Sequence, residues 1–261
     1  MKPTITHLVY EIRAGVRDKS LLLMNYLFPL VFFFIISSIM GKLNPSFKNN
    51  TIYSMSLFAM LSSLLLSMPG NGVAQREAGV FRSFKINGVP PLSLLGIPVA
   101  ALLMHLAIVT GIIWIIAVNL LGTAAPDSIP RFVLAWVCSS LSIAALGSVI
   151  MVIAPGNRAS ILLSQLIFLP SMLLGSLMMP IEALSGSLKT IAVCLPTSLA
   201  MMIFTGQPGW EKSAAILGAG AVLGFAVAAF LFEWDAKNPR PIRQKVFAIV
   251  AILPYIAAAF I

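Results

Sequence analysis

Apolar residues occur in six long, uninterrupted runs along the chain. Each run is 19 or more residues long and contains no Asp, Glu, Lys or Arg. Because a helix needs roughly 20 apolar residues to cross a hydrocarbon core of about 30 Å, each run predicts one transmembrane helix. The six predicted spans cover residues 21–40, 52–73, 92–121, 132–153, 160–179 and 214–232.

The two ends of the chain add shorter apolar patterns. In residues 1–20, apolar side chains recur at helical spacing, which predicts an amphipathic helix lying on the inner membrane surface. After a basic cytoplasmic segment at 233–245, residues 246–261 form a further charge-free run of 16, slightly short of the usual minimum of about 17. This run predicts either a short seventh span or a helix lying against the bundle.

The segment before the sixth span has a different pattern. Two apolar pieces at 190–195 and 198–204 are each too short to cross a membrane, and Pro196 separates them. Non-helical backbone at membrane depth is tolerated where protein or water satisfies its polar groups. We therefore expect a re-entrant hairpin that enters from the outside, with an ordinary surface loop as the alternative.

These patterns predict an all-α integral membrane protein that forms one domain over residues 1–261. Composition agrees, because 59% of the residues are hydrophobic, 10% are charged and the mean hydropathy is +0.99. Soluble domains typically contain about 25% charged residues. The first run is also too long for the apolar core of a signal peptide, which is about 7 to 15 residues, so we expect it to be retained.

The distribution of basic residues predicts the orientation. A cytoplasmic N-terminus places 12 of the 17 Lys and Arg residues inside, and Lys and Arg in short loops set the topology. The net charge of +9 is explained mostly by this asymmetry, and no basic soluble face for nucleic acid is present. The 12 inner residues are Lys2, Arg13, Arg17, Lys19, Arg76, Arg82, Lys85, Arg158, Lys237, Arg240, Arg243 and Lys245.

Ionisable residues are almost absent from the predicted spans. His105 is the exception, acting either as a proton relay or as a neutral imidazole bonded to a neighbouring helix. Because ion-coupled carriers usually place charged residues inside the bilayer, secondary transport is disfavoured. Polar Asn25 and Gln165 could line a transport path or pack internally. Cys138 and Cys194 are expected to be unpaired thiols.

The sequence lacks the short motifs of nucleotide-binding and hydrolytic proteins. It contains no G-x-x-x-x-G-K-[ST] loop, no H-E-x-x-H, no C-x-x-C and no G-x-S-x-G. The eight acidic residues are scattered among loops, so no catalytic or metal-binding constellation is visible. We expect no enzyme activity and no cofactor in this chain.

Two segments carry a family resemblance. The run Gln-Arg-Glu-Ala-Gly-Val-Phe-Arg at 75–82 resembles the R-E-x-G segment between the second and third helices of type-2 ABC exporter permeases. Residues 169–184, followed by Leu-Pro-Thr-Ser at 195–198, resemble the late signature of that family, in which the fifth helix leads into a hairpin. This chain departs from the signature at Gly175-Ser176, where Ser-Gly is common, and at Ser185-Gly186, where Pro is often found.

The resemblance implies a transmembrane permease of an ATP-driven exporter in a bacterial or archaeal plasma membrane. A separate ABC ATPase subunit would bind ATP and Mg, with two ATPases docked beneath a homodimer or heterodimer of permeases. The cargo would be a drug, antibiotic, peptide or lipid-like molecule. The residues implied to couple to the ATPase are Arg76, Glu77, Gly79, Phe81, Arg82 and Lys85, and those implied to form an outer gate are Pro170, Gly175, Pro180, Glu182 and Pro196.

Three other functions stay open at this point. A carrier or channel would work without any ATPase. A membrane enzyme acting on lipids would need clustered acids or histidines at one membrane face. A non-transporting immunity protein would need neither feature.

Overall fold

The computed structural model describes residues 2–43, 45–235 and 240–260, so Lys237 of the basic segment lies outside the described residues. The described chain is helical throughout and contains no strand. Its helices in chain order are α1 (Lys2–Arg17), α2 (Lys19–Leu43), α3 (Phe47–Glu77), α4 (Val80–Ile86), α5 (Pro91–Asn119), α6 (Ile129–Ile153), α7 (Asn157–Leu174), α8 (Gly186–Val193), α9 (Pro196–Thr205), α10 (Trp210–Phe230) and α11 (Arg243–Phe260).

Seven of the helices in the described ranges are long and apolar enough to cross a membrane. Six of them, α2, α3, α5, α6, α7 and α10, correspond to the six predicted spans, and α11 is the seventh. Helix α11 includes 3-10 turns at Val246–Ile252 and Ala258–Phe260. Because a 3-10 turn rises about 2.0 Å per residue against about 1.5 Å in an α-helix, the apolar part of α11, residues 246–260, extends to about 28 Å, close to the hydrocarbon thickness.

The predicted hairpin is present as two helices bent sharply against each other. Helices α8 and α9 meet at 77° across a short break that ends at Pro196. The fifth predicted span is shorter than expected, because α7 ends at Leu174 and not at Met179. It stops where Ser176 adopts a left-handed conformation with φ 63°, which a helix cannot continue through.

Helices α3 and α6 form the centre of the bundle. Within the spanning window, 89% of α3 and 72% of α6 is buried, whereas α2, α7 and α11 are each buried by 22% or less. The peripheral helices expose apolar side chains such as Ile35, Leu162 and Leu166. In a membrane protein, such faces contact lipid or another apolar helix.

Small residues allow α10 to pack closely inside the chain. A Cβ atom added at Gly224 would lie 2.8 Å from Cβ of Ala145 on α6. One added at Gly220 would lie 2.4 Å from the hydroxyl of Tyr255 on α11, and that hydroxyl forms a 2.6 Å hydrogen bond with Ser142. The G-x-x-x-G pair of α10 therefore packs α6 and α11 against one another within a single chain.

The N-terminal helix α1 packs along α5. A Cβ atom at Gly15 would lie 2.4 Å from Nε2 of His105, so the glycine makes room for the imidazole. The Nδ1 atom of His105 forms a 2.6 Å hydrogen bond with the hydroxyl of Tyr26 on α2. This contact matches the alternative in which His105 is bonded to a neighbouring helix. Ile5 and Val9 stay exposed, as expected of a helix whose apolar face meets the membrane surface.

Candidate functional site

The segment 76–88, which runs from the last residues of α3 toward α5, is the first candidate site and is called the inner loop below. Helix α3 ends at Glu77, and Gly79 then adopts a left-handed conformation with φ 76°. This turn starts the short helix α4, which ends before Asn87 and a second left-handed glycine, Gly88, at φ 70°. The helix and its stop at Asn-Gly agree with the sequence pattern.

Arg76 lies at the buried root of the inner loop, with only 3% of its side chain exposed. Its Nη1 atom donates to the carbonyls of Met151 and Val152 at 3.3 Å, and its Nη2 atom donates to the carbonyl of Ala154. These carbonyls lie at the C-terminal end of α6, where acceptors have no partner within the helix. Arg76, which the resemblance implies to couple to the ATPase, therefore has its guanidinium enclosed within the chain.

Glu233, just after α10, neutralises this buried cation. Its Oε2 atom lies 3.3 Å from Nη1 of Arg76, and its Oε1 atom lies 3.0 Å from Nζ of Lys245. The same Oε1 accepts a 2.8 Å hydrogen bond from the backbone N–H of Arg240. Lys245 also donates to the carbonyl of Ile153 at 3.3 Å. One buried carboxylate therefore joins the inner loop, the end of α6 and the start of α11.

Each of the four residues from Phe232 to Asp235 contacts the inner loop. The ring of Phe232 lies 5.4 Å from that of Phe81, and Nζ of Lys85 lies 5.9 Å from the ring of Trp234. Asp235 forms an ion pair with Arg82, and Glu233 pairs with Arg76. We call residues 232–235 the clasp segment. It holds the inner loop along its whole length.

Sequence reasoning did not identify the clasp segment. Glu233 and Asp235 directly follow the sixth apolar run and lie at the start of the basic segment 233–245, so a short acidic pair between two membrane helices was the available signal. Their partners lie 157 and 153 residues away along the chain. No local pattern connects residues that are so far apart.

Three charged residues of the inner loop face outward. Glu77 and Lys85 are exposed, and half of the Arg82 side chain is exposed despite its ion pair with Asp235. On the other side of the loop, His7 of α1 stacks on Phe84 with ring centroids 5.1 Å apart. The inner loop and α1 therefore form one continuous surface at the end of the bundle where the basic residues collect.

The second candidate site is the hairpin at the opposite end of the bundle. A Cβ atom at Gly175 would lie 2.0 Å from Oγ1 of Thr197, so only glycine allows α9 to approach the end of α7 this closely. That hydroxyl donates to the carbonyl of Ser171 at 3.3 Å. Pro196 is buried at the start of α9, and Pro170 lies within α7. The structure brings Gly175 and Pro196 into one packed junction.

The other predicted gate residues lie at the rim of this junction. Pro180 and Glu182 are exposed, and Pro180 precedes a single 3-10 turn at Ile181–Ala183. Both residues line a cavity between the hairpin and α3, together with Asn50, Ser54, Ser176 and Ser198.

A separate cavity near the inner end of the bundle is lined by residues of α1 to α6. Asn25 lines it and is 1% exposed, and neither amide atom has a hydrogen-bond partner among the described residues. A π-helical segment, Leu23–Leu27, places this residue, and π-bulges are frequent at functional sites. Gln165, the other predicted pathway residue, is half-buried on α7 and lines neither cavity.

Both polar and apolar side chains line this inner cavity. Polar side chains of Glu11, Asn71, Gln75 and His105 line part of it. Apolar side chains form the remainder, among them Met68, Leu94, Leu95, Leu102 and Met151.

Within residues 2–43, 45–235 and 240–260, no group of three or more His, Cys, Asp or Glu side chains could hold a metal ion.

Comparison with known proteins gives one match. The family model described as ABC-2 type transporter matches residues 4–207, which is 204 of the 261 residues. No curated protein and no solved structure matches the chain. The matched region includes the inner loop and the hairpin, whereas the clasp segment and α11 lie beyond it.

Proposed function

This chain belongs to the ABC-2 type transporter family as its multi-pass membrane permease, which lacks the ATPase domain, and we propose that it exports a hydrophobic or amphipathic substrate. The candidate substrates are a drug, an antibiotic, a peptide or a lipid-like molecule. We place the N-terminus in the cytoplasm of a bacterium or archaeon. The distribution of basic residues supports that orientation, because 12 of 17 then lie inside.

The energy for transport comes from a separate ABC ATPase, which would carry ATP and Mg. Two such subunits would act on two permeases, either identical or different. The missing phosphate-binding loop supports this division of labour.

The inner loop is the proposed contact with the ATPase. Its exposed charges, Glu77, Arg82 and Lys85, would meet complementary charges on the partner, and such rim charges mainly set orientation and specificity. Gly79 gives the loop its turn, and buried Phe81 and Arg76 attach it to the bundle. The observation that carries the proposal is that this loop continues directly from α3, the most buried span. A displacement of the loop would therefore be transmitted to the centre of the bundle.

The hairpin is the proposed outer gate. Pro170, Gly175 and Pro196 form or adjoin its hinge, and Pro180 and Glu182 form its exposed rim. The tight contact at Gly175 supports a defined closed position, because packed junctions change by discrete steps and not by gradual deformation.

The inner cavity supports the proposed substrate class. It combines an unpaired amide at Asn25 with an apolar wall, so it would suit a molecule that has a polar head and an apolar body. Buried polar groups normally find a partner, and a substrate or ordered water would supply one here.

Co-purification with the ATPase tests the proposed function. The permease would be expressed with a candidate ABC ATPase from the same organism and purified in detergent, as wild type and as Glu77→Lys or Lys85→Glu. Glu211→Lys and Lys212→Glu are matched controls. They make the same charge changes at the start of α10, at the opposite end of the bundle from the inner loop. We expect the wild type and both controls to retain the ATPase, and the two inner-loop variants to lose it.

Two results would count against this function. If no ATPase associates with the wild type, a carrier, a channel or an immunity protein becomes the better account. If the control variants lose the ATPase as readily as the inner-loop variants, the contact does not lie at the inner loop.

A further inference from the structure

We propose that Glu233 and helix α11 form a brace that positions the inner loop, with Glu233 as the positioning residue and Lys245 as its second anchor. The inference rests on the proposed function, because the loop that it positions is the proposed contact with the ATPase. It concerns a part of the chain beyond the region matched to the family. It also gives α11 a purpose.

The clasp segment contacts the inner loop at four points. Four consecutive residues of one segment meet four residues of the other: two through ion pairs, one through a ring contact and one through a cation over a ring. A loop attached to the membrane only by its own two ends could tilt about them. The clasp segment adds a third attachment along the side of the loop.

The ion pairs of Glu233 link the inner loop to α11. Its carboxylate is 3% exposed and lies between two cations, Arg76 at 3.3 Å and Lys245 at 3.0 Å. A buried charge persists only when it is paired and hydrogen-bonded, and Glu233 is the ion-pair partner of both cations. Because Arg76 belongs to the inner loop and Lys245 to α11, the positions of the loop and of α11 are linked through one carboxylate.

Helix α11 is also docked at other points. Tyr255 fits against Gly220 of α10 and bonds to Ser142 of α6, both in the middle of the bundle. Ala251 is fully buried in the cluster that also contains Phe81 and Phe232. Helix α11 is thus anchored to the same two spans, α6 and α10, that flank the buried end of the loop.

Hydrogen exchange of the inner loop measures its positioning directly. The full-length permease would be labelled in lipid nanodiscs as wild type, Glu233→Gln and Lys245→Met, with Glu211→Gln and Lys212→Met as matched controls at the far end of α10. We expect at least ten-fold faster exchange in peptides covering residues 78–88 for the two brace variants, with the controls unchanged. Equal exchange in brace and control variants would overturn the proposal.

A second measurement separates positioning from folding and from docking. The same variants would be assembled with the ATPase, and the rate of ATP hydrolysis would be compared with that of the ATPase alone. We expect Lys245→Met to assemble with the ATPase but to lose the change in hydrolysis rate that the wild type produces. A further variant, Glu233→Asp, keeps the carboxylate and should retain part of that change. If Lys245→Met couples like the wild type, the brace does not act on coupling.

The two measurements also keep the proposals apart. If the wild type never binds the ATPase, the proposed function fails while the exchange experiment still decides whether the brace exists. If Glu233→Gln does not fold, Lys245→Met decides the outcome, because Lys245 is more exposed, at 17%, and its loss leaves Glu233 paired with Arg76.

Discussion

The docking of α11 can be tested at a single glycine. A Cβ atom at residue 220 would lie 2.4 Å from the hydroxyl oxygen of Tyr255 and 2.6 Å from the ring carbon that bears it. Optimal contacts between carbon atoms lie at about 3.5–4.0 Å, so Gly220→Ala requires the ring to withdraw by about 1 Å. The hydroxyl is held by its 2.6 Å bond to Ser142, and the ring cannot withdraw without lengthening that bond.

The magnitude follows from three contributions. Overpacking of this kind costs about 1–3 kcal/mol, and the weakened hydrogen bond costs about 1 kcal/mol. The higher helix propensity of alanine relative to glycine offsets about 1 kcal/mol of this cost. The net loss in the docking free energy of α11 is therefore about 1–3 kcal/mol, and each 1.4 kcal/mol corresponds to about a ten-fold change in the opening equilibrium.

Hydrogen exchange of residues 246–260, measured by mass spectrometry in detergent, would report this change. Gly218→Ala is the matched control, because a Cβ atom there meets nothing within 4 Å and the propensity gain is the same. We expect faster exchange in Gly220→Ala and unchanged or slower exchange in Gly218→Ala. Equal exchange in the two variants would refute the close contact between α10 and Tyr255.

Three further substitutions test other parts of the account. Gly175→Ala should destabilise the hairpin by about 1–3 kcal/mol through its clash with Thr197, seen as a lower melting temperature, whereas Gly111→Ala, with open space around its Cβ, should not. Asn25→Leu should raise the melting temperature, since it removes unpaired buried polar atoms that cost about 1–3 kcal/mol, yet it should slow transport measured in proteoliposomes. Gly79→Ala should cost about 1–2 kcal/mol because of its left-handed backbone, and should weaken ATPase association in a pull-down without unfolding the bundle.

Much of the architecture could be predicted from hydropathy alone. Charge-free runs identified the six spans, and Pro196 between two short apolar pieces predicted the bent helix pair. These features are local, because spanning a bilayer depends on the length and polarity of one segment. The end of α4 is encoded locally too, because Asn87-Gly88 directly follows its last residue.

The features that the sequence did not reveal depend on contacts between distant segments. Arg76 belongs to a basic stretch, but Glu233 and the end of α6 provide it with a buried site. The last apolar run fell just below spanning length when counted as an α-helix, and its 3-10 turns lengthen it. The unpaired state of Asn25 depends on how the helices that line its cavity pack together, which no hydropathy pattern encodes.

Site-directed crosslinking can show whether the inner loop contacts a separate ATPase. Lys85→Cys and Lys212→Cys would be made in a background with both natural cysteines, Cys138 and Cys194, replaced by serine. Each variant would be assembled with the ATPase and treated with a short thiol-to-amine crosslinker. We expect a crosslinked product from position 85 and none from position 212. An assembled complex that gives no product at position 85 but a product at position 212 would contradict it.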